Sequence, residues 1–268
     1  MNEAARGKQI AIYVGKCFRL FFHDQWWKTL LSAAIITLLI SAVTASDMYQ
    51  AYNSTRNGSF ALICACIWIG IFNSIQSVCR ERGIIKREHR TGLHMSSYII
   101  AHLVFETVLS FVEALIVTLL IWLTNLSNFP SRGVFMPALL EFFITYFLII
   151  LSSDALGVMV SSLVHTPETV MTVMPFVLII ELVMSGFIFK LQGFSEKLSY
   201  ITVSKWGLNA LCTTANVNMM DNHIPDYMDS YLFRPGNLLG LWLILILFIL
   251  IYGVIAIFSL EFIDRDKR

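Results

Sequence analysis

Residues 238–260 read LLGLWLILILFILIYGVIAIFSL, 23 positions without one Asp, Glu, Lys or Arg. A helix rises about 1.5 Å per residue, so this run is long enough to cross roughly 30 Å of hydrocarbon. Inside lipid every peptide group must be bonded within the segment, which a helix achieves. The remainder of the 268-residue chain agrees, with 57% hydrophobic residues, 14% charged residues and a mean hydropathy of +0.70. Average soluble domains are about a quarter charged. The formal net charge of +1 offers nothing to attract nucleic acid, so no nucleic-acid partner is expected.

Working outward, five further runs have spanning length: 29–46, 60–78, 97–124, 134–163 and 170–189. The expected fold is therefore an all-α polytopic membrane protein of six transmembrane helices. The third and fourth runs are longer than a bilayer needs, which predicts tilt. An even count puts both termini on one side, and basic residues say which. Arg6, Lys8, Lys16, Arg19 and Lys28 precede the first run. Arg80, Arg82, Lys86, Arg87 and Arg90 follow the second, and Arg265, Lys267 and Arg268 close the chain. That makes 13 of 19; Arg56, Arg132, Lys190, Lys197, Lys205 and Arg234 fall in the opposite connections. Basic excess marks the cytoplasm, so both termini are expected inside a plasma or inner membrane. The mixed, basic first 25 or so residues do not read as a cleavable leader.

Three segments do not span. Residues 4–28 interleave charge with Ile10, Ile12, Phe18, Leu20, Phe21, Phe22, Trp26 and Trp27, which predicts an amphipathic helix in the inner interface. The domain boundaries are then 1–28 for this helix, 29–260 for the spanning region and 261–268 for a cytoplasmic tail. Residues 80–96 form a basic segment broken at Thr91-Gly92. Residues 190–236 form a long outer connection whose first half repeats Leu191, Phe194, Leu198, Tyr200, Ile201, Trp206, Leu208 and Leu211. Short helices dipping back into the membrane are expected there.

The sequence holds no GxxxxGK[ST] phosphate loop, no HExxH, no GxSxG and no GxGxxG. Its six histidines lack ligand spacing, so no metal site and no catalytic residue is expected. Cys17, Cys64, Cys66 and Cys79 read as small hydrophobes in helices. Cys212 is the one expected to face outward, where it could pair with its copy in a partner subunit. Three Asn-x-Ser/Thr patterns, at Asn53, Asn57 and Asn125, hug the membrane and are set aside.

Several ionisable residues fall inside apolar runs. His102, Glu106 and Glu113 share one stripe at 100° per residue. Glu141 and Asp154 lie in the fourth run and Glu181 in the fifth. Each costs at least ~2.5 kcal/mol in hydrocarbon and must face protein or water. They read as an intramembrane polar network: either a proton path or cation site, or hydrogen bonding between helices.

Two stretches are more specific. The first runs Phe72-Asn73-Ser74, Cys79-Arg80-Glu81-Arg82, Lys86-Arg87-Glu88-His89-Arg90-Thr91-Gly92 and Ser96-Ser97-Tyr98. The second is Met184-Ser185-Gly186-Phe187-Ile188, followed by Val203-Ser204-Lys205-Trp206-Gly207-Leu208-Asn209-Ala210-Leu211. Over about residues 8–260 they resemble the transmembrane part of ABC type-2 exporters, the G-subfamily above all. The resemblance implies two six-span subunits, identical or paralogous, around a central cavity, with two ATP-binding subunits docked below. Those subunits would bind the ATP and Mg; no cofactor is expected in this chain. It makes 4–28 the connecting helix and 80–96 the coupling helix, presenting Arg82, Lys86, Arg87, Glu88, His89, Arg90 and Thr91 to the ATPase. A smaller contact is implied at 163–169. It places Ile69, Phe72, Asn73 and Gln76 along the cavity, opposite Val177, Ile180 and Met184, and makes Phe187 and Ile188 an apolar outer gate.

Such a cavity suits a hydrophobic or amphipathic substrate: a drug, a lipid-like molecule or a small peptide. G-subfamily half-transporters carry their ATPase in the same polypeptide, whereas these residues contain none, which points to a split, bacterial system. The rival reading is a proton-coupled carrier or membrane-embedded enzyme using Glu106, Glu113 and Asp154. Inverted repeats would favour a carrier, but the two three-span halves show no evident similarity.

Overall fold

The computed structural model describes residues 6–23, 26–44, 47–189, 191–220 and 229–262. The tail beyond 262, residues 1–5 and 221–228 of the outer connection lie outside them. Among the described residues there are ten α-helices, two short 3₁₀ turns and no strand. In order, α1 is Arg6–His23, α2 Trp27–Thr44, α3 Tyr52–Ser74, α4 Ser77–Arg90 and α5 Met95–Thr124. They are followed by α6 Ala138–Leu163, α7 Pro167–Val183, α8 Phe194–Ser199, α9 Val203–Thr214 and α10 Pro235–Glu261. Five are long and apolar enough to cross a membrane: α2, α3 with its continuation into α4, α5, α6 and α10. A sixth, α7, is apolar but has 17 residues and holds Pro175 inside it, which removes one backbone hydrogen bond.

The pillar of the bundle is α6, against which α3, α5, α9 and α10 all pack. Every residue from 148 to 158 is buried, so this helix has no amphipathic stripe to show. Between lipid-embedded helices, close packing and cross-helix hydrogen bonds replace hydrophobic exclusion of water. Both are present. The Ser161 hydroxyl oxygen accepts from the Val78 and Cys79 amides, each at 3.1 Å. The Trp242 indole donates to Thr145 Oγ1 at 3.0 Å. By contrast, α2 and α10 carry bare apolar faces, with Leu39, Val43, Leu243, Leu250 and Phe258 all more than half exposed, as suits helices that meet lipid.

Three boundaries differ most from the sequence reading, the end of the fifth span at Val183 rather than 189 among them. The second span begins at Tyr52 rather than near 60. Its first turns are polar yet packed: Thr55 and Ser59 are buried, and the Thr55 hydroxyl accepts from the Tyr49 amide at 2.9 Å. The fourth begins at Ala138 rather than 134. Residues 134–136 form a loop whose amides donate to the Glu141 carboxylate at 2.9, 2.8 and 2.9 Å. Glu141 is thus a clasp for the loop ahead of α6 rather than a member of a mid-membrane network. Hydrogen bonds to a charged group are worth about 1.5–3 kcal/mol. Glu141→Ala is expected to cost roughly 2 kcal/mol or more, read as a lower Tm in detergent. Glu141→Gln, which keeps an acceptor, should lose less; equal Tm values across the three proteins would count against the clasp.

The outer connection does hold short helices, α8 and α9. Helix α9 is lodged against α3, α6 and α10 and is buried along most of its length. Cys212 lies inside it, fully buried, so the outward-facing cysteine expected from the sequence is corrected: it sits in the core, out of reach of a partner's copy.

Candidate functional site

The α4 elbow is built as a continuation of α3. Only Ile75 and Gln76 separate them, and the Ile75 and Arg80 amides carry the hydrogen bonding across. Val78, Cys79 and Ile85 turn inward, while Arg80, Gly83, Ile84, Arg87, Arg90 and Thr91 face outward. The result is a basic stripe with one apolar residue in its middle. Arg87, His89 and Arg90 occupy the last turn, where cations complement the helix dipole.

Not every residue predicted for this surface faces out. Arg82 reaches back to α6, donating to the carbonyls of Ser162 at 2.7 Å and Val164 at 3.2 Å. It thereby satisfies end-of-helix acceptors that lack intrahelical partners. His89 Nδ1 pairs with the Leu93 carbonyl at 3.1 Å, and Lys86 is half-buried. The Glu88 carboxylate accepts from the Tyr13 hydroxyl of α1. Arg87, Arg90 and Thr91 remain as the exposed part of the predicted set.

Helix α1 holds the elbow from the side. Gln9 donates to the Gly92 carbonyl and accepts from the His94 amide, both at 3.1 Å. Lys16 pairs with Glu81 at 2.8 Å, and Glu81 also accepts from Tyr98 at 3.1 Å. Phe18 and Phe21 meet Phe105 of α5 edge-on at 5.1 and 5.5 Å. Tyr13 went unnoticed in the sequence, and Lys16, Glu81 and Tyr98 were read there without these partners, which lie up to 75 positions away.

The intramembrane carboxyls divide in two. Glu181 resembles Glu141 in its role: it accepts from the Val203 and Ser204 amides at 3.3 and 3.0 Å, capping α9. Glu106, Glu113 and Asp154 do gather, between α5, α6 and α3. Asn73 donates to both Glu113 oxygens at 2.9 and 3.0 Å. Ser110 Oγ stands 2.6 Å from Asp154 Oδ2 and 2.6 Å from the Glu106 carbonyl. One carboxylate oxygen of Glu106 and one of Asp154 have no hydrogen-bond partner among the described residues. His102 lies one turn away, buried against Cys17 and the Tyr98 ring. A cavity of about 450 Å³ reaches Asn73, Arg80, Glu81, His102 and Glu106 from the α1 side.

The predicted cavity face is partly open. Phe72, Asn73, Gln76 and Arg80 line a hollow of about 270 Å³ together with Met171 of α7. Phe72 and Ile180 are half exposed. Ile69 is the correction here: it is 5% exposed and belongs to the main core. Val177 packs partly against the same core, and Met184 caps the end of α7.

Beyond α7 the chain reverses at Gly186, whose φ of +74° an L side chain rarely adopts. This turn presents Phe187, which stacks on Phe60 at 4.2 Å with the Arg56 guanidinium 4.9 Å above its ring. Ile188 stays exposed beside it. Arg56 was filed with the outer-loop cations; the early start of α3 puts it on a helix.

The family of ABC-2 type transporters matches residues 8–215. An ABC transporter ATP-binding/permease protein of Mycobacterium tuberculosis is 25% identical over 225 residues. That match covers 78% of this chain and 26% of the mycobacterial protein, so the chain spans about a quarter of that relative's length.

Proposed function

The chain belongs to the ABC-2 type transporter family, and on that premise we propose that it is the permease of an ATP-driven exporter for a hydrophobic or amphipathic substrate. The observation that carries this reading is the elbow. From Tyr52 to Arg90 the chain runs as one nearly continuous 39-residue rod, tied at one end to α1 and α6 and presenting Arg87 and Arg90 beyond the apolar bundle. A rod of this kind passes a push from a soluble partner to the Phe60–Phe187 stack at its other end.

In this proposal two ATP-binding subunits carry ATP and Mg and dock on the elbow, which lies in the cytoplasm with the termini. A second permease copy faces the first across Phe72, Asn73, Gln76 and Ile180. Closure of the ATPases drives the elbows together, narrows the cavity and parts the gate; the chemistry of hydrolysis belongs to the partner. The mycobacterial relative, described as ATP-binding and permease in one protein, supports the pairing and a bacterial membrane setting. Purification from native membranes in mild detergent tests it. The chain is expected to bring an ATP-binding subunit and Mg-dependent ATP hydrolysis; material that hydrolyses no ATP and holds no such subunit refutes the reading.

Phe187→Ala in the complete transporter should raise ATP turnover without substrate about twofold or more, because the stacked ring no longer closes the path. Unchanged basal turnover would remove Phe187 from the gate. The gathering of Glu106, Glu113 and Asp154 favours one second reading, a proton-coupled carrier. It requires transport in vesicles driven by a pH gradient with no ATP present.

A further inference from the structure

At the end of α3 remote from the elbow, a cavity of about 330 Å³ is lined by Arg56, Glu196, Tyr200, Lys205, Asn209 and Tyr231 among others. Some 18 residues of helix, about 27 Å, separate Arg56 from Ser74. Among the described residues that line it, two cations against one carboxylate give a surplus of positive charge. Neither cation forms an ion pair among the described residues.

Their hydrogen-bond and ring partners carry no charge, and Glu196 acts on Lys205 only through its field. Arg56 Nε bonds the Tyr231 hydroxyl at 3.3 Å and its plane covers Phe187. Lys205 Nζ donates to Ser199 Oγ at 2.8 Å and sits 3.6 Å from the Tyr200 ring centre. Ring and hydroxyl partners leave several guanidinium and ammonium N–H groups available. Asn209, 8% exposed, adds an amide to the same wall. The volume is that of a small-molecule site. Arg56 also touches the ring of the proposed gate, so an apolar body passing Phe187 would bring whatever it carries straight to this charge.

We infer that this cavity binds the anionic head, a phosphate, sulfate or carboxylate, of an amphiphile at the exit of the path. The inference deepens the exporter reading and depends on it for direction of travel. The anion could belong to the exported molecule or to a membrane phospholipid; the recognition chemistry is shared.

The test is titration of dodecyl phosphate into the purified protein in dodecyl maltoside, followed by thermophoresis. Saturable binding is expected, weakened about fivefold by Lys205→Gln and restored by Lys205→Arg, while dodecyltrimethylammonium does not saturate. Competition by inorganic phosphate would show that the head alone is read. Displacement in phosphatidylglycerol nanodiscs, but not in phosphatidylcholine ones, would make the lipid the source. Either result supports the site. Equal binding of the cationic and anionic amphiphiles overturns it, as does unchanged affinity in a monodisperse Lys205→Gln protein. No ATP is used, so a negative result here leaves the exporter reading intact, and a missing ATPase leaves this site intact.

Discussion

Gly70→Leu is expected to abolish recovery of folded, monodisperse protein. A Cβ at Gly70 would stand 2.5 Å from the Ile150 carbonyl oxygen, 2.9 Å from Ser153 Cβ and 3.0 Å from the Asp154 amide nitrogen. Two of these neighbours are backbone atoms of α6, which no rotamer change can move aside. The seam repeats the device one turn on: a Cβ at Gly157 would meet the Ser74 side chain and, at 3.3 Å, the Ile75 nitrogen. Any side chain here must drive α3 away from the pillar that α5, α9 and α10 also share, and it does so beside Asp154. Overpacking a tight core typically costs about 1–3 kcal/mol, and a seam walled by backbone belongs at or beyond the upper end. Gly240 on α10 has nothing within 4 Å of its would-be Cβ, so Gly240→Leu should behave as wild type. Size-exclusion profiles of the two variants after detergent extraction decide the matter; a normal Gly70→Leu profile would mean the helices are not locked at this seam.

The glycines also mark what a sequence can and cannot disclose. Apolar runs announced the spans because lipid imposes length and composition on each helix separately. The stripe of His102, Glu106 and Glu113 was legible for the same reason, being set by one helix's periodicity. Asp154 joins that stripe from α6, a meeting no single helix encodes. Glu141 and Glu181 looked like intramembrane charges because their neighbours are apolar; each proves to accept amides from a segment that folds back, at 134–136 and 203–204. Arg82 read as one more exposed cation, and its capture by the end of α6 is likewise a tertiary event. At the elbow, the basic composition was visible but the division into bonded and outward-facing residues was not. The cavity lining was legible at Phe72, Asn73 and Gln76, whereas Ile69, on the same face by spacing, is covered by neighbouring helices.

Glu88→Ala should lower ATP-driven transport severalfold, up to about tenfold, while the ATP-binding partner still associates and still hydrolyses ATP. Glu88 lies in the last turn of α4, and its carbonyl already anchors the reversal into α5, accepting from the Thr91 and Leu93 amides at 3.1 and 3.0 Å. Its carboxylate is the point where α1 grips that reversal, through Tyr13. Burial, reinforced by the adjacent Glu88 carboxylate, pushes the Tyr13 hydroxyl above its ordinary pKa, so its proton stays in place through the working pH range. The remaining grips are Gln9 at Gly92 and His94, and Lys16 at Glu81. A bond of this kind, half exposed, is worth about 1.5 kcal/mol, which corresponds to roughly tenfold in an equilibrium between a braced and a loose elbow. With the brace gone, a push from the ATPase swings α4 instead of travelling along α3. Tyr13→Phe removes the same bond from the other side and should produce the same defect, with the double variant no worse than either single one. Full transport in both single variants, each folded and partner-bound, would show that force does not pass through this joint.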